Sequence, residues 1–462
     1  MKNLHLVSGL ALIASSGWAA PVSAQDGASV AHELAAMRAE MARMAARIDS
    51  LEGELAQAEA KSDAAVMVAS EAAETAAATQ IQVSDATAEN TAEIAFKGTP
   101  QIEGDDGWSF KPRGRLQYDA GFTSAPESTG RSDGFGNEAR RARLGVSGDM
   151  PGGFGYKVEI DFAGSDLAVT DALISYETGD TEFQVGQFNT FQSLEELTSS
   201  LHTTMIERAA FTDAFGFERR VGAAAQYKGD DLLVQAGLFT DNMDDLSNKN
   251  WGADGRVVFM PKLGDTQLHL GGSVHYADLE SGDTVRYRQR PLVHFTSERF
   301  INTGNLDASS EFGLGLEGAV IAGPFHAAAE GYWQTVNRPG ALSDPTFFGG
   351  YGEVGYFLTA GDSRGYKGGK FDRVKPTNPV GEGGAGSVQV NLRYDYLDLN
   401  DNGIVGGIQN GYLLSLIWKP TDYTALLANS GRLAYDDAVF SAAAGDTSYS
   451  VDAFGVRAQI DF

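Results

Sequence analysis

The chain is 462 residues long and carries 62 Asp and Glu against 35 Lys and Arg, a formal net charge of −27, with 56 Gly, 25 Phe, 16 Tyr and no Cys. The lack of cysteine excludes disulfide frameworks, thiolate nucleophiles, zinc knuckles and iron–sulfur ligation, and the acidity argues against the basic face of a nucleic-acid binder. High glycine and aromatic content suits an exported, strand-rich protein, one large β-barrel with an appendage, better than a cytosolic enzyme.

The N-terminus reads as an export signal over residues 1–24. Lys2 provides a positive start, Leu4 to Ile13 an apolar run too short to span a bilayer, and Val22-Ser23-Ala24 a small-residue cleavage site before Gln25. No later stretch offers the run of about 20 apolar residues that a membrane helix needs. From Val30 to Ala58 the apolar positions step by four and three, through Leu34, Met37, Met41, Met44, Ile48, Leu51 and Leu55. That 3.5-residue repeat predicts a coiled-coil seam, or else one amphipathic helix packed on the rest of the protein. The Ala-rich, acidic stretch that follows holds too few large apolar side chains for a core and reads as frayed helix or linker. Residues 25–95 are thus expected to form an α-helical coiled coil and linker in the periplasm.

From about Trp108 the period changes to 2 and stays there to the C-terminus. Leu116, Tyr118, Ala120 and Phe122 alternate with Arg115, Gln117 and Asp119. Val388, Val390, Leu392, Tyr394 and Tyr396 alternate with Gln389, Asn391, Arg393 and Asp395, and Phe454, Val456, Ala458, Ile460 and Phe462 with Arg457, Gln459 and Asp461. One apolar and one polar face, repeated this often, fits a large soluble sandwich or propeller, or an outer-membrane barrel. Strands of about 9–11 residues can cross a bilayer when tilted. Aromatics near strand ends, at Trp251, Tyr276, Tyr332, Trp333, Trp418 and Tyr423, fit interfacial girdles. Residues 96–462 are therefore predicted to be an all-β transmembrane β-barrel of about 16 antiparallel strands, up to 18, in the outer membrane of a Gram-negative bacterium, wide enough for a water-filled channel.

Motifs that look chemical fail on context. Gly313-Leu-Gly315-Leu-Glu-Gly318 matches a dinucleotide fingerprint by letter but lies inside an alternating strand with no helix behind it. Asp398 to Gly403 opens like a calcium loop, yet the twelfth position is Gln409 and the flanks are strands, so a tight turn is the better reading. His269 and His275 share a polar face about 20 Å apart, too far for one metal. No nucleophile elbow is present, and no catalytic residue, metal or cofactor is assigned.

The basic residues cluster. Arg140, Arg141 and Arg143 start a strand, Arg141 and Arg143 on one face opposite Ala142, Leu144 and Val146. Arg219 and Arg220 follow Arg208, while Arg286, Arg288 and Arg290 alternate as on a strand, and Lys367, Lys370, Arg373 and Lys375 punctuate a Gly-rich loop. Guanidiniums in a narrow pore concentrate anions and bind oxyanions bidentately. They would equally well balance lumen carboxylates such as Glu159, Asp161 and Asp171, and charge alone does not separate the two. Residues 25–95 hold 13 acids against 4 bases, which leaves a net −19 on residues 96–462. An anion path then requires the acids to sit on loops and turns while the arginines hold the constriction.

Arg140-Arg-Ala-Arg-Leu-Gly-Val-Ser-Gly148, followed by Gly152-Gly-Phe-Gly-Tyr-Lys-Val-Glu-Ile-Asp-Phe162, resembles the porin O/P family of phosphate-selective porins. So do Val185-Gly-Gln-Phe188, Ser193 to Ser200, Met205-Ile-Glu-Arg-Ala209, Arg393 to Asp401 and Asp452 to Phe462. The resemblance implies a homotrimeric 16-stranded barrel that passes anions through a constriction formed by an infolded loop, here Gln192 to Phe217. It maps the family's lumen arginines onto Arg140, Arg141 and Arg208. With Arg143, these are the expected contacts for small anions, phosphate first. Where the family continues Lys-Thr-Pro-Phe after Phe188, this chain reads Asn189-Thr190-Phe191-Gln192; the missing lysine weighs against strict phosphate selectivity. The terminal Phe462 resembles the signal that the barrel-assembly machinery reads. An alternative reading makes the barrel an anchor in outer-membrane lipid and residues 25–95 a tether to the cell wall.

Overall fold

The computed structural model describes residues 93–104, 106–245 and 249–462, together with four helical positions, Met41, Met44, Met67 and Ser70. The export signal of residues 1–24, and the coiled coil, linker and tether read in residues 25–95, fall outside the described residues but for those four positions and the start of a hairpin. Among the described residues no helix is long and apolar enough to cross a membrane.

The period-2 segments form sixteen antiparallel wall strands. They are β1 Ser109–Ser124, β2 Gly134–Met150, β3 Phe154–Asp161, β4 Ala168–Thr178, β5 Thr181–Asn189, β6 Arg219–Lys228, β7 Leu232–Phe239 and β8 Trp251–Phe259. The second half is β9 Thr266–Asp278, β10 Ser310–Ala322, β11 Phe325–Asn337, β12 Thr346–Phe357, β13 Ser387–Asp401, β14 Ile404–Thr421, β15 Thr424–Asp436 and β16 Tyr449–Asp461. Each pairs with the next, and β16 returns to β1 in a register running from Asp452 opposite Ser124 to Asp461 opposite Arg115. Closure leaves no strand edge and satisfies the wall's backbone groups where no water can. The range of 16 to 18 resolves to 16.

The direction of the two faces decides between the architectures that the alternation allowed. Leu116, Tyr118 and Phe122, Leu392 and Tyr394, and Phe454 and Ile460 are exposed on the outer surface, whereas Gln117, Asp119, Asn391, Arg393 and Arg457 are buried. A soluble sandwich would do the reverse. Trp251, Trp333 and Trp418 also face outward. Tyr332 does not belong to the expected girdle: neighbours on a strand point to opposite faces, so Tyr332 is 1% exposed inside while Trp333 is outside.

One end of the barrel carries short turns, such as 151–153, 179–180 and 422–423, which marks it as periplasmic, and the other carries the long connections 190–218 and 279–309. The calcium-like stretch is a hairpin: Asn402 and Gly403 both adopt positive φ, 47° and 85°, the geometry of a two-residue turn between β13 and β14. Arg286, Arg288 and Arg290 do not lie on a wall strand as their alternation suggested. They sit in connection 279–309, where Thr284–Val285 pairs with Leu306–Asp307 and Arg288–Gln289 with Ile301–Asn302. At the short-turn end, segment 358–386 turns into the lumen as a ribbon pairing Gly365–Lys367 with Lys370–Asp372. A hairpin of Glu93–Lys97 and Thr99–Glu103 leads into β1, and Phe462 exchanges two 3.0 Å backbone hydrogen bonds with Gly114.

Segment 190–218 folds inward and carries two short helices, α1 Leu194–Leu197 and α2 Ala210–Ala214. Its Leu194, Met205, Ile206 and Phe211 form an apolar core with Tyr332, Tyr351 and Leu397 of the wall. The contact is close because Gly349 of β12 lacks a side chain: a Cβ there would stand 2.5 Å from the Phe211 Cβ, which cannot swing away. Gly349→Val is therefore expected to displace α2 and change single-channel conductance while the barrel still shows the heat-dependent mobility shift of a folded porin. Wild-type conductance in this variant would mean that the loop does not set the pore.

Candidate functional site

The infolded segment is fastened to one side of the lumen by carboxylates. Glu330 of β11 accepts the amides of Leu194 and Glu195 at 2.9 and 2.7 Å, and Tyr351 donates to it at 3.0 Å. Asp395 of β13 accepts the amide of Ala210 at 3.0 Å, and Asp254 of β8 that of Phe191 at 3.2 Å. Glu353 of β12 takes a 2.5 Å bond from Thr204 and an ion pair from Arg393 at 2.8 Å. Gln192 lies 2.9 Å from the Nδ1 of His275, which itself sits 2.5 Å from Asp254. A buried amide left unpaired costs about 1–3 kcal/mol, so these acids serve as fixed acceptors that hold the loop across the channel.

The opposite wall keeps its charges on the water side: Arg115 of β1, Arg141 and Arg143 of β2, Lys157 of β3 and Arg219 of β6. In the β1–β2 register Gln117 faces Arg141 and Tyr118 faces Ala139, so Arg140 is the extra residue of a β-bulge. Strict alternation would send Arg140 outward, but a bulge re-aims its side chain. Arg140 thus joins Arg141 in the lumen and grips Glu207 of the infolded segment at 2.8 and 3.0 Å. Arg143 pairs with Asp161 at 2.7 Å and Glu159 at 3.1 Å, while Lys157 and Arg219 share Asp171 at 2.7 and 3.2 Å. Arg208 turns back on its own segment, donating to the Glu195 and Thr198 carbonyls at 3.0 and 2.8 Å, with the Glu196 carboxylate 3.4 Å away. Arg141 donates to the Gln117 Oε1 at 3.0 Å and has no ion pair among the described residues.

Two cavities occupy this side of the lumen. The outer, about 320 Å³, includes Arg140, Glu207, Arg290 and His294 in its lining. The inner, about 410 Å³, includes Arg113, Lys157, Lys370 and Arg373. The residues that line both are Arg141, Arg143, Arg208 and Arg219. The passage between the cavities is therefore framed by four guanidiniums. Burial works to raise the Glu207 carboxyl, but Arg140 and Arg141 overcome it and hold that group well below the usual carboxylate range. For Glu196 burial wins over Arg208 and the carboxyl is raised.

Of the four arginines singled out in the sequence, Arg141, Arg143 and Arg208 line both cavities, and Arg140 lines the outer one. Arg219 was visible only as a basic pair preceding a strand. Glu207 was inside a motif that had been noted, but a carboxylate beside an arginine in a loop carries no signal that it reaches back to another strand. Asn189, where the family has lysine, lines the inner cavity with its Oδ1 buried and unpartnered. His269 is held by Tyr366 at 2.6 Å. No cluster of three metal-ligating side chains is found among the described residues.

A closed, inside-out barrel with a charged, water-side passage defines an outer-membrane porin. Residues 110–462 match the family of phosphate-selective porins O and P, and the chain belongs to that family. A protein of Caulobacter vibrioides described as uncharacterized is 42% identical over 479 positions, covering 99% of this chain and 96% of its own. The anion-selective porin of Comamonas acidovorans is similar in fold, with a TM-score of 0.50 at 14% identity over 77% of this chain and all of that one. The outer membrane channel DcaP of Acinetobacter baumannii gives a TM-score of 0.48 at 14% identity, over 78% of this chain and 99% of its own.

Proposed function

We propose that this porin passes small anions passively, oxyanions such as phosphate among them, and that Arg140, Arg141, Arg143 and Arg208 contact them. The observation that carries the reading is the division of the lumen. The carboxylates of β8, β11 and β13 accept backbone amides of the infolded segment and that of β12 its Thr204 hydroxyl, while the side chains common to both cavities are Arg141, Arg143, Arg208 and Arg219. A net-negative protein can then present a positive passage, because the field at a narrow, low-dielectric constriction is set by the nearest charges rather than the total. The carboxylates paired with Arg143 and Arg219 soften that field; Arg141, without one, is its strongest point. Asn189 in place of a lysine removes a cation from the inner cavity and favours a broader anion range. The homotrimer implied by the family resemblance is part of the same proposal.

In a planar bilayer under a potassium chloride gradient, the reversal potential is expected to take the sign of chloride preference, and added phosphate to reduce the chloride current. A reversal potential of the opposite sign overturns the anion reading.

A further inference from the structure

Several lumen ion pairs are sealed: Arg457 and Asp119 are 0% and 1% exposed at their side chains, Arg393 and Glu353 0% and 2%. The pair of Arg140 with Glu207 differs, with both side chains nearly one-fifth exposed in the lining of the outer cavity. The Glu207 oxygens meet Arg140 Nε and Nη2 at 2.8 and 3.0 Å, and one of them also accepts from Arg457 at 3.0 Å. That two-pronged grip is the one a guanidinium offers a free oxyanion. Next to it, Arg141 makes no ion pair among the described residues, and Arg208 spends Nε and Nη2 on the Glu195 and Thr198 carbonyls and meets the Glu196 carboxylate at 3.4 Å.

We propose that Glu207 is a tethered counter-anion that competes with permeating oxyanions for Arg140 and thereby sets how tightly the constriction holds them. The inference rests on the anion reading above and deepens it. A solute arriving in the outer cavity finds Arg141 outside any ion pair among the described residues, Arg208 with Nε and Nη2 donating to backbone carbonyls, and the fork of Arg140 filled by Glu207. To engage Arg140 it must displace a carboxylate whose effective concentration, being intramolecular, is on the order of millimolar or more. As the solute moves on, Glu207 reoccupies Arg140 and favours release. Conduction needs binding weak enough to leave as well as strong enough to enter, and Glu207 supplies the first half. Its carboxyl stays ionised across the physiological range because Arg140 and Arg141 outweigh the burial that opposes them.

The test is block of chloride current by inorganic phosphate in single channels of the full-length protein. Glu207→Gln is expected to lower the half-blocking phosphate concentration by about tenfold and to lengthen the blocked intervals. Unchanged block overturns the proposal. Weaker block overturns it as well, since it would show that Glu207 only holds Arg140 in place. Should Glu207→Gln fail to yield a heat-modifiable barrel, Glu207→Asp, which draws the carboxylate back from the fork, is expected to lower the half-blocking concentration about threefold. An unchanged value there is equally fatal to the idea. Failure of the underlying reading is separable: a cation-preferring wild type removes the anion porin, whereas an anion-preferring wild type with unaltered block removes only the role of Glu207.

Discussion

Arg141→Glu is expected to turn the pore from chloride-preferring to potassium-preferring. Arg141 lines both cavities and has no ion pair among the described residues, so its charge is the least compensated at the passage. Unit charges 4 Å apart interact by about 1 kcal/mol in bulk water and about 4 kcal/mol at an effective dielectric constant of 20. A wet lumen lies toward the lower figure, and the substitution reverses the charge rather than removing it. A change of about 2 kcal/mol corresponds to roughly a 30-fold change in the anion-to-cation permeability ratio. The check is the shift of reversal potential under a fixed salt gradient. A shift of less than about threefold in that ratio would place the selective contact elsewhere.

Replacing segment 359–386 with a short turn is expected to raise single-channel conductance at least about twofold, because a 16-stranded barrel encloses a channel that this ribbon partly fills. Its neighbours show that the barrel does not need it: other connections at the same end, 179–180 and 422–423, are only turns. The ribbon lies across the lumen. Arg256 donates to the Gly369 carbonyl at 2.8 Å, Tyr366 meets His269 at 2.6 Å, Arg373 reaches Asp461 of β16, and Arg364 stacks on Phe371 with 4.6 Å to the ring centre. Arg364 also donates to the carbonyl of His202 on the infolded segment, joining the two insertions. Chloride conductance in symmetric salt reads the result directly. No increase would mean that the ion path runs clear of the ribbon, which contradicts the presence of Lys370 and Arg373 in the inner cavity lining.

The wall of this protein was legible in its sequence because a strand's two faces are fixed by a period of 2. Once Leu116 to Phe122 and Val388 to Tyr396 alternate with charged and amide side chains, each strand is two-sided, and enough such strands can close only with one kind of face inward. Even the inward arginines Arg141 and Arg143 follow from counting. Arg140 does not follow, since a bulge inserts one residue and breaks the count; only the family resemblance placed it. The ribbon of 358–386 was likewise invisible beyond its glycines and lysines, because nothing in a connecting segment says whether it points into water or into the lumen.

By itself, then, the sequence determined the barrel, its approximate strand number and the inward arginines on unbroken strands, while the segment that folds across the channel came from the family resemblance. The tertiary structure alone decided which charges remain open to solute. Glu330, Asp395 and Asp254 lie on β11, β13 and β8, more than 50 residues from the amides that they accept, and Glu207 is 67 residues from Arg140. The net −19 that seemed to oppose an anion path is a sum, and a sum carries no position. Local alternation is a property of neighbours in the chain, whereas neutralisation is a property of neighbours in space.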